Sequence, residues 1–411
     1  MLQRGCQELL DEAVEQFGVP GAQLGVLSGG NRMVVCSGTL LAGGDEPVVE
    51  STAFHAGSIA KAVTGLLVLD AARAGKVGLD VSCAEQGEGL WSETPRMLLS
   101  QTSGRPNVLP ASGEELEEFV TRVGDLPLTH SPGRFSYCNA GWSVLDLLLR
   151  RTTGSSFEDA ATNALGPKLT FGAPVGAASG HVSVPGREPQ PVSDTDVAAA
   201  SAAGGRWWAT ADQLLDFAAL QINDGEGVFD AEDVRAVRTP SAVLPGSTVF
   251  DAWGLGWALW DRGPHQAFGW AGYTDGQRTF LRGFPEQDAA VVLVTNSAGP
   301  LFGPPGGSAV FDSVLPQLLE LLEVPPLTEP EYDAAPRPTS ELAGSYGPVT
   351  VESGGPDELQ LHAEAFGQPH PLDCERLGGN TFTMRSAPPG SMPVAFDDDL
   401  LYVGPFALPR H

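Results

Sequence analysis

Lysine occurs only three times in this chain of 411 residues, at Lys61, Lys76 and Lys168. Lysine and arginine together number 23 against 51 aspartates and glutamates, a formal net charge of −28. A field of that sign repels nucleic acid and anionic membrane surfaces, which excludes both as partners. Most of the acidity is read as solubility, and the lysine scarcity as a biased coding composition. Cysteine is scarce too. Cys6, Cys36, Cys83, Cys138 and Cys374 are odd in number and scattered, without the spacing of a metal site. Free, mostly buried thiols are expected, with no disulfide framework, no metal and no organic cofactor. Six of the seven histidines, His55, His130, His181, His265, His362 and His370, show no ligand spacing either. No apolar run is long enough to span a bilayer. The first residues show helical periodicity (Cys6, Leu9, Leu10, Ala13, Val14, Phe17) with acidic residues among them, unlike a secretion signal. A cytoplasmic location is the expectation. Also missing are a Gly-x-Ser-x-Gly elbow, a phosphate-binding Gly-x-x-x-x-Gly-Lys loop and a His-Glu-x-x-His pair.

What is present centres on Phe54-His55-Ala56-Gly57-Ser58-Ile59-Ala60-Lys61. After Gly57, the residues Ile59, Val63, Leu66, Leu67 and Ala71 recur at helical spacing, so a largely buried helix begins near Ser58. Residues three apart share a helix face, which sets the Ser58 hydroxyl beside the Lys61 amine. Backbone N–H groups at the helix start can hold an oxyanion. A buried lysine near that positive end has its pKa pushed down, so the neutral amine can take a proton. These are parts of a serine acyl-transfer site. Ser-x-x-Lys alone is a weak pattern: three lysines give about a one-in-five chance of a serine three residues earlier.

Around this stretch the chain reads as a helix, then a hairpin with strands near 22–27 and 33–36. A helical and loop-rich middle follows, in which Ser112-Gly113-Glu114-Glu115 resembles a capping box opening a short acidic helix. Helices are expected around Val144 to Leu148 and Leu214 to Leu220. Strands are expected at 253–260, 278–284 and 289–296, and a last helix near Val310 to Leu322. Strands at both ends around a helical middle imply an α+β sheet domain with an inserted helical subdomain and a site in the crevice between them. This catalytic unit is assigned to 1–324. A Pro-rich linker occupies 325–339 and a small β-rich unit 340–411. Trp207, Trp208 and Trp253 are expected to be core or lid aromatics.

Of the five tyrosines, only Tyr137 has asparagine two positions on, in a Pro-Gly loop before a helix. Read alone, Tyr137 and Asn139 are ordinary turn and cap residues. The ordered set is more telling. It comprises Gly57-Ser58-Ile59-Ala60-Lys61, Leu98-Leu99-Ser100-Gln101-Thr102-Ser103-Gly104, and Pro132-Gly133-Arg134-Phe135-Ser136-Tyr137-Cys138-Asn139-Ala140-Gly141. It continues with Ala203-Gly204-Gly205, Gly254-Leu255-Gly256-Trp257 and Gly269-Trp270-Ala271-Gly272-Tyr273-Thr274-Asp275-Gly276. From about Gly18 to Asn296 the chain resembles the serine β-lactamase and penicillin-binding-protein superfamily. The branch is that of class C β-lactamases, DD-peptidases, family VIII esterases and related acyltransferases. The resemblance implies a β-lactamase-like fold, with the tail similar to the lipocalin-like C-terminal domain of some members. It implies Ser58 as nucleophile, Lys61 as the amine that activates it and Tyr137 as the proton relay to the leaving group. Asn139 would hold Lys61 and the substrate carbonyl side. Backbone N–H groups of Ser58 and Tyr273 would form the oxyanion hole, with Trp270, Ala271 and Gly272 binding substrate.

The chain departs from that pattern where Trp270-Ala271-Gly272 replaces a lysine or histidine followed by a small residue and glycine. An indole offers one hydrogen-bond donor and no charge for a substrate carboxylate. Tryptophan there is similar to the esterase and acyltransferase members, which shifts the reading toward esters, thioesters or amides lacking that carboxylate. A second departure is Gln101, where histidine is frequent. The reading is a serine hydrolase working through a Ser58 acyl-enzyme on a small-molecule or peptide acyl substrate. Its rivals are an acyltransferase passing the acyl group to an alcohol or amine, and a catalytically inactive binding module. The four polar residues together argue against the last. The oligomeric state is not legible.

Overall fold

The computed structural model describes residues 2–166, 169–183, 187–192, 197–247, 249–298, 307–332, 335–363, 371–385 and 393–411. Lys168 and His370 lie outside these residues, as does part of the proline-rich 325–339 stretch. The central sheet has eight strands. In spatial order they are Asn31–Gly38, Gly21–Ser28, Ala289–Thr295, Gln277–Phe284, His265–Thr274, Ala258–Arg262, Ala252–Trp253 and Ala242–Val243. The N-terminal hairpin therefore pairs with a strand some 270 positions later, Ala22 opposite Thr295 and Val26 opposite Val291.

Side-chain alternation along these strands sorts the two faces. Leu24, Val26, Val291 and Leu293 pack against Leu10, Ala13 and Val14 of the helix Leu2–Phe17 and against Val310, Val314 and Leu318 of the helix Gly307–Leu321. Leu27, Ala290, Val292 and Val294 face the other way, into the main core that holds Leu214, Leu215 and Ala218 of the helix Ala211–Ile222. Strands covered on both faces read as continuous apolar runs, as Ala289–Thr295 does. The inserted helices, chiefly Ala60–Arg73 and Ala140–Thr153, join this second face. The Ala60–Arg73 helix is buried on all sides from Ala60 to Leu69, the mark of a helix at the centre of its layer.

Two local expectations are corrected. The segment 253–260 is not one strand: Gly254 donates its N–H to the Trp257 carbonyl at 2.8 Å, closing a turn between Ala252–Trp253 and Ala258–Arg262. The turn lets the two buried indoles diverge, Trp253 donating to the Leu99 carbonyl and Trp257 to Gln221 Oε1. Nor does Ser112 cap a helix. The helix runs Leu116–Gly124 behind an Glu115 cap that makes no side-chain bond. Glu114 instead accepts from the Ala111 N–H and pairs with Arg122. Among the described residues a capping box stands at Thr210 and Gln213.

Beyond residue 340, eight strands from Gly344–Tyr346 to Phe406–Pro409 pair antiparallel, each with its sequence neighbour. A bridge from Tyr346 to Arg410 joins the first to the last and nearly closes a barrel. Its last strands are buried on both sides. Phe396, Leu401 and Val403 point into the barrel core, whereas Ala395, Leu400, Tyr402 and Ala407 belong to the main core. All five cysteines are free, and Cys36 alone among them is only partly buried. Trp207, Trp208 and Trp253 are fully inside. Among the described residues no helix is long and apolar enough to cross a membrane, and no cluster of metal-ligating side chains occurs.

The approach of the buried helix to the sheet generates a test. A Cβ on Gly65 would meet the Leu255 carbonyl oxygen at 2.0 Å. Glycine to alanine inside a helix ordinarily gains up to about 1 kcal/mol. Gly65→Ala is expected instead to destabilise by about 2 kcal/mol through overpacking, measured as a lowered midpoint in urea unfolding.

Candidate active site

Ser58 lies in a single 3-10 turn, Gly57–Ile59, that leads directly into the helix Ala60–Arg73. The turn is held from several sides. Ala56 donates its N–H to the Trp207 carbonyl at 2.6 Å, and Gly57 donates to His55 Nδ1 at 3.0 Å. The His55 backbone bonds through its N–H to Gln277 Oε1 and through its carbonyl to Thr279 Oγ1. Gly57 adopts φ +55°, and a Cβ there would meet Gly272 Cα at 2.8 Å and the Tyr273 nitrogen at 3.0 Å. A Cβ on Gly272 would in turn strike the Ala56 carbonyl oxygen at 2.1 Å. Two glycines thus let the Ser58 turn and the Tyr273 backbone press together.

The sheet explains why the Tyr273 N–H is directed away from the ladder, on the edge that the Gly57–Ile59 turn approaches. The Ala258–Arg262 strand pairs with His265–Thr274 only as far as Gly269, leaving Trp270 to Thr274 an open edge. On the other side a two-residue turn, Asp275-Gly276, makes Thr274 and Gln277 the first bonded pair. Alternation then directs the N–H groups of Gly272 and Trp270 to the neighbouring strand, and those of Tyr273 and Ala271 to the open edge. Ala271 is half-buried and Tyr273 exposed.

Lys61 is completely buried. Its Nζ lies 3.0 Å from Ser58 Oγ, 2.8 Å from Asn139 Oδ1 and 2.6 Å from the Gly204 carbonyl oxygen. Burial disfavours the charged amine and lowers its pKa to about 7. Tyr137 donates its hydroxyl proton to Ser58 Oγ at 2.8 Å, and burial raises its pKa well above the ordinary phenol range. Trp270 donates its indole N–H to the Tyr137 oxygen at 3.2 Å. The protons can therefore run in one direction: indole N–H to phenol oxygen, phenol to serine oxygen, serine hydroxyl to the lone pair of neutral Lys61. The two amine protons left go to Asn139 and Gly204. This arrangement can deprotonate an alcohol close to the backbone nitrogen of Tyr273, as acyl transfer requires.

The structure brings Ser58, Lys61, Tyr137, Asn139 and Trp270 into one hydrogen-bonded set, with Gly272 and Tyr273 against it through backbone. Several supporting roles were not read from the sequence. Gly204, quoted there only within Ala203-Gly204-Gly205, supplies a carbonyl to Lys61. Asn107 accepts from both the N–H and the Nδ2 of Asn139 through its Oδ1, at 2.9 and 3.0 Å. Gln101, named only as a departure, is buried at φ +60°. Its Oε1 accepts the Cys138 N–H at 2.8 Å and its carbonyl the Ser136 N–H at 2.9 Å, so it clamps the residues on both sides of Tyr137. Its positive φ left no signal, because nothing in a glutamine marks the left-handed region.

A family model described as beta-lactamase matches residues 6–310. The chain is 29% identical over 375 residues to penicillin-binding protein 4 of Amycolatopsis lactamdurans, covering 83% of this chain and 96% of that protein. Among solved structures, SurE aligns at TM-score 0.80 and 26% identity over 100% of this chain and 99% of its own; it has also been solved with D-leucine. The D-amino acid amidase of Ochrobactrum anthropi SV3, solved with D-phenylalanine, aligns at TM-score 0.66 and 21% identity over 78% of this chain and 99% of its own.

Gln101→Ala would leave the Cys138 N–H buried without its acceptor. A loss of about 1–3 kcal/mol in urea unfolding is expected.

Proposed function

The chain belongs to the beta-lactamase family, and on that footing we propose that it is a serine hydrolase in which Ser58 carries the acyl group. The observation that carries this reading is the buried Lys61 amine, its pKa near 7, in contact with Ser58 Oγ at 3.0 Å. Neutral Lys61 takes the proton of Ser58 as Oγ bonds to the substrate carbonyl carbon. The carbonyl oxygen becomes an oxyanion, held by the N–H groups of Ser58 and Tyr273. The bond to the leaving atom then breaks. Tyr137 gives its hydroxyl proton to that atom and is restored by the proton on Lys61. A water molecule next attacks the ester on Ser58, passing its proton to the same pair, and Ser58 departs as a hydroxyl. Trp270, donating into the Tyr137 oxygen, eases the moment when that oxygen has lost its proton.

The substrate class follows from two features. Trp270 supplies no cation, and its one donor is engaged with Tyr137, which supports a substrate with no carboxylate to bind at that position. SurE with D-leucine and the amidase with D-phenylalanine support an acyl group made of a D-amino acid residue. The reading is therefore an ester, thioester or amide of a D-aminoacyl group on a small molecule or peptide. An alcohol or amine taking the place of water would make the same site an acyltransferase, and added amines in the assay separate the two by product.

A fluorophosphonate probe is expected to add once to the native chain and not to Ser58→Ala, read by intact mass. No adduct on the native chain would overturn the reading. The pH dependence has a definite sign, because the base must be neutral. The value of kcat/KM is expected to rise about tenfold per pH unit below 7 and to level off above it. A flat profile from pH 5 to 8 would exclude Lys61 as the base.

A further inference from the structure

We propose that Phe406, on the last strand of the C-terminal barrel, is a wall of the substrate pocket and selects the group that leaves with, or accepts, the acyl chain. The proposal rests on the reading of Ser58 and Tyr137 given above. The barrel meets the catalytic part at the Tyr137 loop itself. Tyr137 donates its backbone N–H to the Pro405 carbonyl at 2.9 Å, and Ala407 donates its N–H to Ser136 Oγ at 3.2 Å. Residues 405 and 407 are thus tied to residues 136 and 137 on either side of Phe406, which fixes its backbone. Arg134, just before the loop, pairs with Asp397 and Asp398 of the barrel and holds the same two segments together.

The Phe406 ring stands edge-on to the Tyr137 ring, 6.0 Å between centroids at 90°. The Tyr137 ring also meets Trp270 at 5.3 Å and Trp253 at 5.9 Å. Of these three partners Trp253 is fully buried, whereas Trp270 and Phe406 each keep part of their surface open. Pro405 and Ala407, the neighbours of Phe406, are buried. An apolar ring that remains partly open between two buried neighbours, beside the proton relay, is placed to touch a ligand. Tyr137 serves the leaving atom, and after acylation it serves the acceptor. The group attached to that atom therefore lies along Trp270 and Phe406, an aromatic surface that presents no charge. It accommodates an apolar or aromatic group there, not an ionic one.

The test uses the full chain and two esters with the same D-aminoacyl group, one benzyl and one methyl, whose leaving alcohols are similar in acidity. Phe406→Ala is expected to lower kcat/KM for the benzyl ester about tenfold more than for the methyl ester. Phe406→Leu, which keeps apolar bulk, is expected to recover most of the difference. An equal fall for both esters, with or without a lower melting temperature, would show that Phe406 only seals the interface, and so would unchanged kinetics. A native chain that labels at Ser58 while the ester ratio stays fixed would refute the Phe406 proposal alone. A native chain that takes no fluorophosphonate label would remove the Ser58 reading and this proposal with it.

Discussion

An amine without water around it is the constraint on which the site depends. A charged lysine at that depth would carry a large desolvation penalty, and the fold meets it by giving Lys61 three fixed polar neighbours and an environment that favours the neutral form. Each neighbour comes from a different part of the chain: the Ser58 turn, the Asn139 end of the next large helix, and the Gly204 segment. Their positions are not independent. Asn139 is held by Asn107, the Tyr137 loop by Gln101 and by the barrel, and the Ser58 turn by His55 and the sheet edge. The same burial that lowers the pKa of Lys61 makes Tyr137 reluctant to ionise. The two groups are thereby set apart, one ready to take a proton and the other to give one.

Much of the catalytic constellation was legible in the sequence, because it depends on short-range rules. Helical spacing put Ser58 and Lys61 on one face, and the Tyr-x-Asn pair before a helix marked the second contributor. The segment Trp270-Ala271-Gly272 was legible as a tryptophan in place of a cation. Its role was not, since a donor can serve substrate or protein equally well. Only the geometry assigns the Trp270 N–H to the Tyr137 oxygen. The roles that escaped notice act over long separations or through the backbone. Gly204 contributes a carbonyl, which every residue has. Phe406 reaches Tyr137 across 269 positions, a contact that no periodicity encodes. The missed turn at Gly254–Trp257 and the misplaced cap at Ser112 have one cause: local apolar or polar pattern was overridden by where the indoles and the Glu114–Arg122 pair found partners.

The barrel is accordingly more than an appendage in packing terms. Four side chains of its last strands, Ala395, Leu400, Tyr402 and Ala407, share a core with the catalytic helices. The alternation that fills the barrel with Phe396, Leu401 and Val403 leaves those four for the other side. A strand pair that serves two cores has no solvent face, which is why this end of the tail reads as nearly continuous apolar sequence.

The register of the central sheet also governs when the molecule can be assembled. The hairpin Gly21–Gly38 is made before the rest of the sheet, but its inner edge is completed only by Ala289–Thr295. Until the roughly 260 residues between Ser28 and Ala289 have been made, the backbone groups of Gly21–Ser28 on that side have no strand to bond, and the helices made in between must form beside an unfinished sheet. Such long-range closure slows folding and leaves an edge open to wrong pairings. On the ribosome, the strand Gly21–Ser28 waits for its partner while everything between the two is translated.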